Sequence, residues 1–295
     1  MLKLYSIEEL VKKAEETNRP ISDLVVEYEM NTSDLAREEI FNRMAANLQV
    51  MKEAIEKGMQ QTVPTKSGMI SDEARRMAAV VQEGKTLAGG IVPLALAKAL
   101  AVATVNATMG KIVAGPTAGS CGIIPGALLA VAEVKKLDDE KIIRGLLTAA
   151  GLGTVVARKA TLAGAAGGCQ AECGVASAMA AGGIVEMMEG TPAQVSAAFA
   201  LALKNMLGLV CDPVAGLVEV PCVKRNAMAA SHAIAAAELA LAGIKSVIPA
   251  DEVVEAMGEI GDALPKSLKE TARGGLAVTA TGKRIAEEFL GDGIK

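Results

Sequence analysis

LVCDPVAGLVEVPCVKRNAMAASHAIAAAELALAG, running from Leu209 to Gly243, holds both kinds of sequence from which this chain is built. Its second half is an Ala/Leu run opened by Pro221 and closed by Gly243, the signature of a helix with proline in its first turn and glycine at its end. Its first half is a Pro- and Gly-containing turn region that carries Cys211 and Cys222, separated by DPVAGLVEVP. That segment is long enough to fold back and aim both thiols at one point. A third cysteine in a glycine-rich setting, Cys169 in GGCQAECG, must be brought to them by the fold. Turn-forming neighbours let side chains converge, and three thiolates leave a coordination position open on a metal, with zinc, Cu(I) or an iron–sulfur cluster as the soft-ligand candidates. The competing reading is plain packing, since free cysteine is among the most buried residue types. Neither a CxxC pair nor finger spacing decides between them.

Outward from this stretch the composition points to one fold class. Of 295 residues, 51% are hydrophobic and only 2% aromatic, with no Trp, 30 Gly and 14 Met. The apolar content is therefore Ala, Leu, Val, Ile and Met, which favours helix by propensity and lets helices approach closely, with Met filling irregular gaps. An all-α, compact Ala/Gly-rich fold is expected, read as a single domain over 1–295, with amphipathic outer helices over 1–86 and the functional core over 87–295. A net charge of −4 without a basic block offers no footprint for nucleic acid. The longest apolar run, LAGGIVPLALAKALAVATVNATMG from Leu87, carries Pro93, Lys98 and Asn106. A charge at the centre of a membrane helix costs about 2.5–3.5 kcal/mol, so a buried core helix is expected and no membrane partner. Five cysteines and no leader-like start argue for a reducing cytoplasm over a disulfide framework.

Helix boundaries are marked along the chain. Ser6 and Glu9 form a capping-box pattern for SIEELVKKAEE, and Pro20 punctuates its end. A longer helix is expected after Asn31, Thr32 and Ser33 to Lys57, with Gly58 as its stop. Ser71 and Asp72 open DEARRMAAVVQEG, and Thr191, Pro192 and Gln194 cap a helix reaching Gly208. Cys222 falls at the N-terminus of the helix ending at Gly243, where the helix dipole is expected to lower its thiol pKa. GPTAGSCGIIPG, Gly115–Gly126, is a second candidate site. Its glycines free backbone N–H groups, Thr117 and Ser120 add hydroxyls, and a helix follows, so it could hold a carboxylate or phosphate. A tight turn between two helices is the alternative. Cys121 lies inside this loop, near a metal or simply buried.

The strings VNATMGKIVAGPTAGSCGIIPGALL, GAAGGCQAECGVASAMAAGG and LGLVCDPVAGLVEVPCVKRNAMAA resemble the iron–sulfur-dependent L-serine dehydratases, and in particular the α subunit of their two-subunit form. The resemblance extends over nearly the whole chain. It implies an all-helical catalytic region holding a [4Fe-4S] cluster through Cys169, Cys211 and Cys222. It also implies a role in amino-acid catabolism and gluconeogenesis, with L-serine lost as pyruvate and ammonia. In this reading the open iron is a Lewis acid for departure of the β-hydroxyl, and the loop residues Gly115, Pro116, Thr117 and Ser120 orient the substrate carboxylate.

A base is missing from this picture. The single histidine, His232, lies ten residues beyond Cys222 on one helix, about 15 Å away, and a structural hydrogen bond is expected of it. Single-chain members of the resembled family carry histidine motifs such as SSHT in a region this chain lacks, so a β subunit is expected to complete the site in a hetero-oligomer. Some single-chain members cap the open iron with a terminal cysteine. Here the last residues are GDGIK, so water, another ligand or the partner is expected in that position. Cys173, four residues after Cys169, is read as a rival ligand or as filler. An L-cysteine desulfidase-like iron–sulfur lyase, a pyridoxal phosphate dehydratase and a non-catalytic helical partner stand as alternatives. The absence of alternating strand and helix patterns disfavours the second.

Overall fold

A computed structural model describes residues 3–291, and all of GDGIK beyond Gly291 falls outside the described residues. Thirteen α-helices are found among them: α1 Ile7–Thr17, α2 Ile21–Ser33, α3 Arg37–Met59, α4 Glu73–Gln82, α5 Ile91–Ala107, α6 Ile123–Lys135, α7 Asp139–Lys159, α8 Gly164–Gly167, α9 Val175–Met187, α10 Pro192–Lys204, α11 Cys222–Leu241, α12 Ala250–Ala263 and α13 Ala280–Leu290. The only β pairing among these residues is a single parallel bridge between Cys211 and Lys269. The all-α expectation therefore holds.

Two helices are buried on nearly every side. α9 is lined by Val175, Ala176, Ala178, Ala180, Ala181 and Val185, all buried, and packs between α7 and α10 and against α11. α5 packs against α3, α4, α6 and α11. Its one charge, Lys98, is 9% exposed and reaches Glu133 at 2.8 Å, which offsets part of the cost of the buried ammonium. The Ala118–Lys135 run is apolar enough by composition to cross a bilayer, but 72% of it is buried inside the molecule, as a core helix would be.

Small residues set the helix spacing. A Cβ on Gly145 of α7 would lie 2.9 Å from Gly183 O of α9, and one on Gly183 would lie 2.7 Å from Gly145 O. Gly58 does not end its helix. α3 runs on to Met59, and a Cβ at Gly58 would sit 2.1 Å from Ala101 O of α5. The glycine is a contact point between helices. Asn31–Ser33 correspondingly belong to the end of α2, with α3 starting at Arg37.

Most caps fall where the pattern places them. Thr191 and Gln194 form the reciprocal capping box of α10, and Gly208 and Gly243 adopt positive φ just beyond α10 and α11. α10 itself stops at Lys204, four residues short of Gly208. Ser6 accepts the Glu9 N–H at 3.1 Å, but the Glu9 side chain does not return the bond, and Asp251 of α12 caps the neighbouring N–H groups. The Asp251 carboxylate accepts from Ser6 Oγ at 2.8 Å and from the Ile7 and Glu8 N–H groups at 3.1 and 2.9 Å. A tertiary contact thus replaces the local one and fastens the N-terminal helix to α12.

Candidate active site

Four segments meet at one end of the α9–α11 pair: the Gly115–Gly122 loop, the turn around Cys169, the Val210–Cys222 segment, and the first turns of α11. Cys169 precedes a π turn, Gln170–Gly174, that leads directly into α9. Such wide turns rotate side chains away from the ordinary helical faces and recur at functional sites. Gln170, fully buried, anchors this turn. Its Nε2 donates to Met257 O at 2.9 Å, its Oε1 accepts the Gly208 N–H at 2.9 Å, and its own N–H reaches Leu209 O at 3.0 Å. The Cys169 turn and the segment before Cys211 are thereby held together.

Cys211 is fixed through its backbone. Its N–H donates to Leu268 O at 2.9 Å and its carbonyl accepts from the Glu270 N–H at 2.8 Å. Arg225, one turn into α11 from Cys222, holds both neighbours of Cys211, donating to Val210 O at 2.9 Å and to Asp212 Oδ1 at 3.3 Å. Asp212 also accepts the Leu276 N–H at 2.8 Å. Asn226 ties the loop to the same helix, since it accepts the Gly122 N–H at 2.8 Å and donates to Gly119 O at 2.7 Å. Glu219, buried just before Cys222, accepts from Thr65 and Ser67 hydroxyls at 2.6 and 2.5 Å.

Cys169, Cys211 and Cys222 are all buried, at 2%, 4% and 9% exposure, and their thiols are close enough to perturb one another electrostatically. A hydrogen bond from the Cys173 thiol, assisted by the Arg225 guanidinium, overcomes burial and brings Cys169 down to about 7. Cys173 moves the opposite way, well up, as the proton-holding member of the pair. Cys222 is pushed up to about 12, chiefly by burial and then by the Cys169 charge, contrary to the lowering expected at a helix N-terminus. The magnitudes explain the outcome. A helix terminus contributes about one pK unit, whereas full burial moves a charged group by about 3–5 units. Burial likewise raises Cys211 strongly. Cys121 is raised to about 12 by burial alone, with no contribution from the other thiols, so it stands apart from them. Among the described residues no three Cys, His, Asp or Glu side chains converge closely enough to chelate a single metal ion.

The loop residues are placed unequally. Ser120 is fully buried and its hydroxyl donates to Gly115 O at 3.2 Å, so it shapes the loop from within. Thr117 is half-buried and donates to Glu172 Oε1 at 2.6 Å. Glu172, from the π turn, lies between the loop and Cys211: a Cβ on Gly164 would lie 2.5 Å from Glu172 Oε2 and 3.2 Å from Cys211 Sγ. Burial holds this carboxyl above the usual range against the Thr117 hydrogen bond. His232 Nε2 is 2.9 Å from Ala202 O, a tie from α11 to α10. Glu172, Arg225 and Gln170 were not singled out from sequence. Their only signal is position, inside or one helical turn beyond the cysteine strings.

In this all-helical scaffold a half-buried carboxylate, Glu172, lies beside the buried Cys211 thiol. Residues 16–277 match the serine dehydratase alpha chain family. The "Probable L-serine dehydratase, alpha chain" of Bacillus subtilis (strain 168) is 50% identical over 289 residues, 98% of this chain and 96% of its own length. The "L-serine dehydratase, alpha chain" of Peptoniphilus asaccharolyticus is 45% identical over 290 residues, covering 98% and 99%. "L-serine dehydratase 2" of Escherichia coli (strain K12) is 36% identical over 282 residues, which are 92% of this chain but 61% of that protein. The chain belongs to the serine dehydratase alpha chain family.

Proposed function

We propose that this chain is the α subunit of an L-serine ammonia-lyase, converting L-serine to pyruvate and ammonia with a [4Fe-4S] cluster held by Cys169, Cys211 and Cys222. The observation that carries the reading is end-to-end similarity to proteins named as L-serine dehydratase alpha chains, and the mutual electrostatic influence of the three buried thiols supports it.

The donor set suits such a cluster. Each iron takes its own thiolate, so the ligands need not meet at one point as those of a single zinc must. The lack of a Cβ at Gly164 leaves space beside Cys211, and Arg225 supplies positive charge next to Cys169. When bound, a cluster with one iron free of protein ligands supplies the Lewis acidity that assists loss of the substrate hydroxyl. The protein's own contributions are positional. The two neighbours of Cys211 are clamped to α11 by Arg225, and Glu219 fixes the approach to Cys222. In the loop, Gly115, Pro116 and Thr117 form the wall offered to the substrate carboxylate, with Ser120 bracing it.

His232 is engaged with Ala202, and the protein of which this chain spans 61% carries further sequence. Both facts support a separate β subunit that supplies the base in a hetero-oligomer. Five free thiols suit a reducing cytoplasm. The test is pyruvate formation from L-serine under anaerobic conditions, using iron-loaded chain with and without a co-expressed β chain. Turnover dependent on the β chain is expected. Full turnover by this chain alone removes the split-site reading, and no turnover by the loaded pair removes the substrate assignment.

A further inference from the structure

Several buried or half-buried carboxylates among the described residues have basic partners. Asp212 has Arg225, Glu73 has Lys224, Asp23 has Arg37 and Arg144, and Asp251 has Lys159. Glu172 differs. Its Oε1 accepts from one neutral hydroxyl, that of Thr117, and no basic side chain among the described residues pairs with it; the charge that bears on it is that of Glu270. Arg225 of the same site is committed to Asp212, Val210 O and the Cys169 thiol.

The surroundings keep this carboxylate clear. Two glycines flank it from different segments, and a Cβ on either would crowd it: Gly119 at 3.1 Å from Oε1 and Gly164 at 2.5 Å from Oε2. The same Gly164 Cβ would touch Cys211 Sγ, so the carboxylate and the thiol border one small space. A half-buried carboxylate held there without a cation is costly unless the bound state provides one. The substrate carries one cationic group, its ammonium.

We propose that Glu172 receives the α-ammonium group of the amino-acid substrate, and that it makes the site selective for amino acids over the corresponding hydroxy acids. This rests on the L-serine reading above. Thr117 orients Oε1, Oε2 is the acceptor for the ammonium, and the substrate is thereby set with its ammonium toward the π turn. Its carboxylate then lies toward the Gly115–Thr117 loop.

The experiment compares wild type, Glu172→Gln and Glu172→Asp as iron-loaded complexes with the β chain. It reads KM for L-serine, the inhibition constant of 3-hydroxypropanoate (serine without its ammonium), and iron per chain. A charge-assisted hydrogen bond lost from a binding site corresponds to about 10- to 100-fold. The expected result for Glu172→Gln is a rise of that size in KM for L-serine. The inhibition constant of 3-hydroxypropanoate should stay within about twofold, at unchanged iron content, and Glu172→Asp should recover part of the loss. Parallel weakening of both ligands, loss of iron, or an unaltered KM in Glu172→Gln would each overturn the proposal while leaving L-serine turnover by the wild type intact. Absence of that turnover overturns the functional reading, and this proposal with it.

Discussion

Replacing Arg225 with Met removes the cross-link between α11 and the two neighbours of Cys211 while keeping the apolar stem. The lost contacts are the hydrogen bond to Val210 O at 2.9 Å and the ion pair with Asp212 at 3.3 Å, with side-chain exposures of 16% for Arg225 and 5% for Asp212. Breaking a buried pair from one side costs about 3–5 kcal/mol, because the remaining charge is stranded. Asp212 keeps one hydrogen bond, from the Leu276 N–H, and Arg225 is not wholly buried, so the lower end applies, about 3 kcal/mol. Equilibrium urea unfolding of the iron-free chain, followed by far-UV circular dichroism, measures this directly as a fall in midpoint at unchanged slope. Arg225→Lys retains charge without the planar fork and should lose about half as much. The double variant with Asp212→Asn should recover part of the loss, since no charge is then stranded. The Cys169 thiol should also titrate higher than about 7 in Arg225→Met, because the guanidinium helps hold it down. A loss under about 1 kcal/mol, the size of an exposed pair, would refute the view that Arg225 joins these segments.

Glycine substitutions should split by packing, not by helix propensity. Gly58→Ala gains about 1 kcal/mol of propensity, but its Cβ would lie 2.1 Å from the Ala101 carbonyl oxygen, so a net loss is expected in urea unfolding. Gly258→Ala in α12, whose Cβ would meet only Ala160 Cβ at 3.6 Å, should gain up to about 1 kcal/mol; equal effects at both sites would contradict the close helix approach. Glu186→Gln should raise the melting temperature at neutral pH. Burial lifts the Glu186 carboxyl above its ordinary 4.5, so the folded wild type is penalised once pH exceeds the raised value. The advantage of Gln should then fade as pH falls through that value to 4.5, below which both folded and unfolded chains are protonated. A gain independent of pH would refute the cause.

The helical fold was legible because the residues that mark it act locally. Thr191, Pro192 and Gln194 cap α10 with their own backbone, and Pro221 and Gly243 bracket α11 within its own turns. Gly58 was misleading because glycine at a helix end and glycine at a helix crossing look alike; only Ala101 on another helix distinguishes them. Ser6 and Glu9 present the same difficulty, since Asp251, from far along the chain, caps the Ile7 and Glu8 N–H groups. At the candidate site the cysteines stood out through their turn-forming neighbours, but their proton affinities did not. The Cys222 thiol follows burial, a tertiary property, over its helix terminus. Glu172 and Arg225 read as ordinary charged residues until the fold sets one beside Gly164 and Cys211 and the other across the neighbours of Cys211.

The most direct test of the account is iron and sulfide content after anaerobic reconstitution, comparing wild type with Cys169→Ser, Cys211→Ser, Cys222→Ser, and with Cys121→Ser as a control outside the thiol group. The account predicts about four irons per chain in wild type and in Cys121→Ser, with a brown visible spectrum, and loss of the cluster in each of the other three. Wild type that takes up no iron, or Cys211→Ser that keeps a full complement, would contradict it.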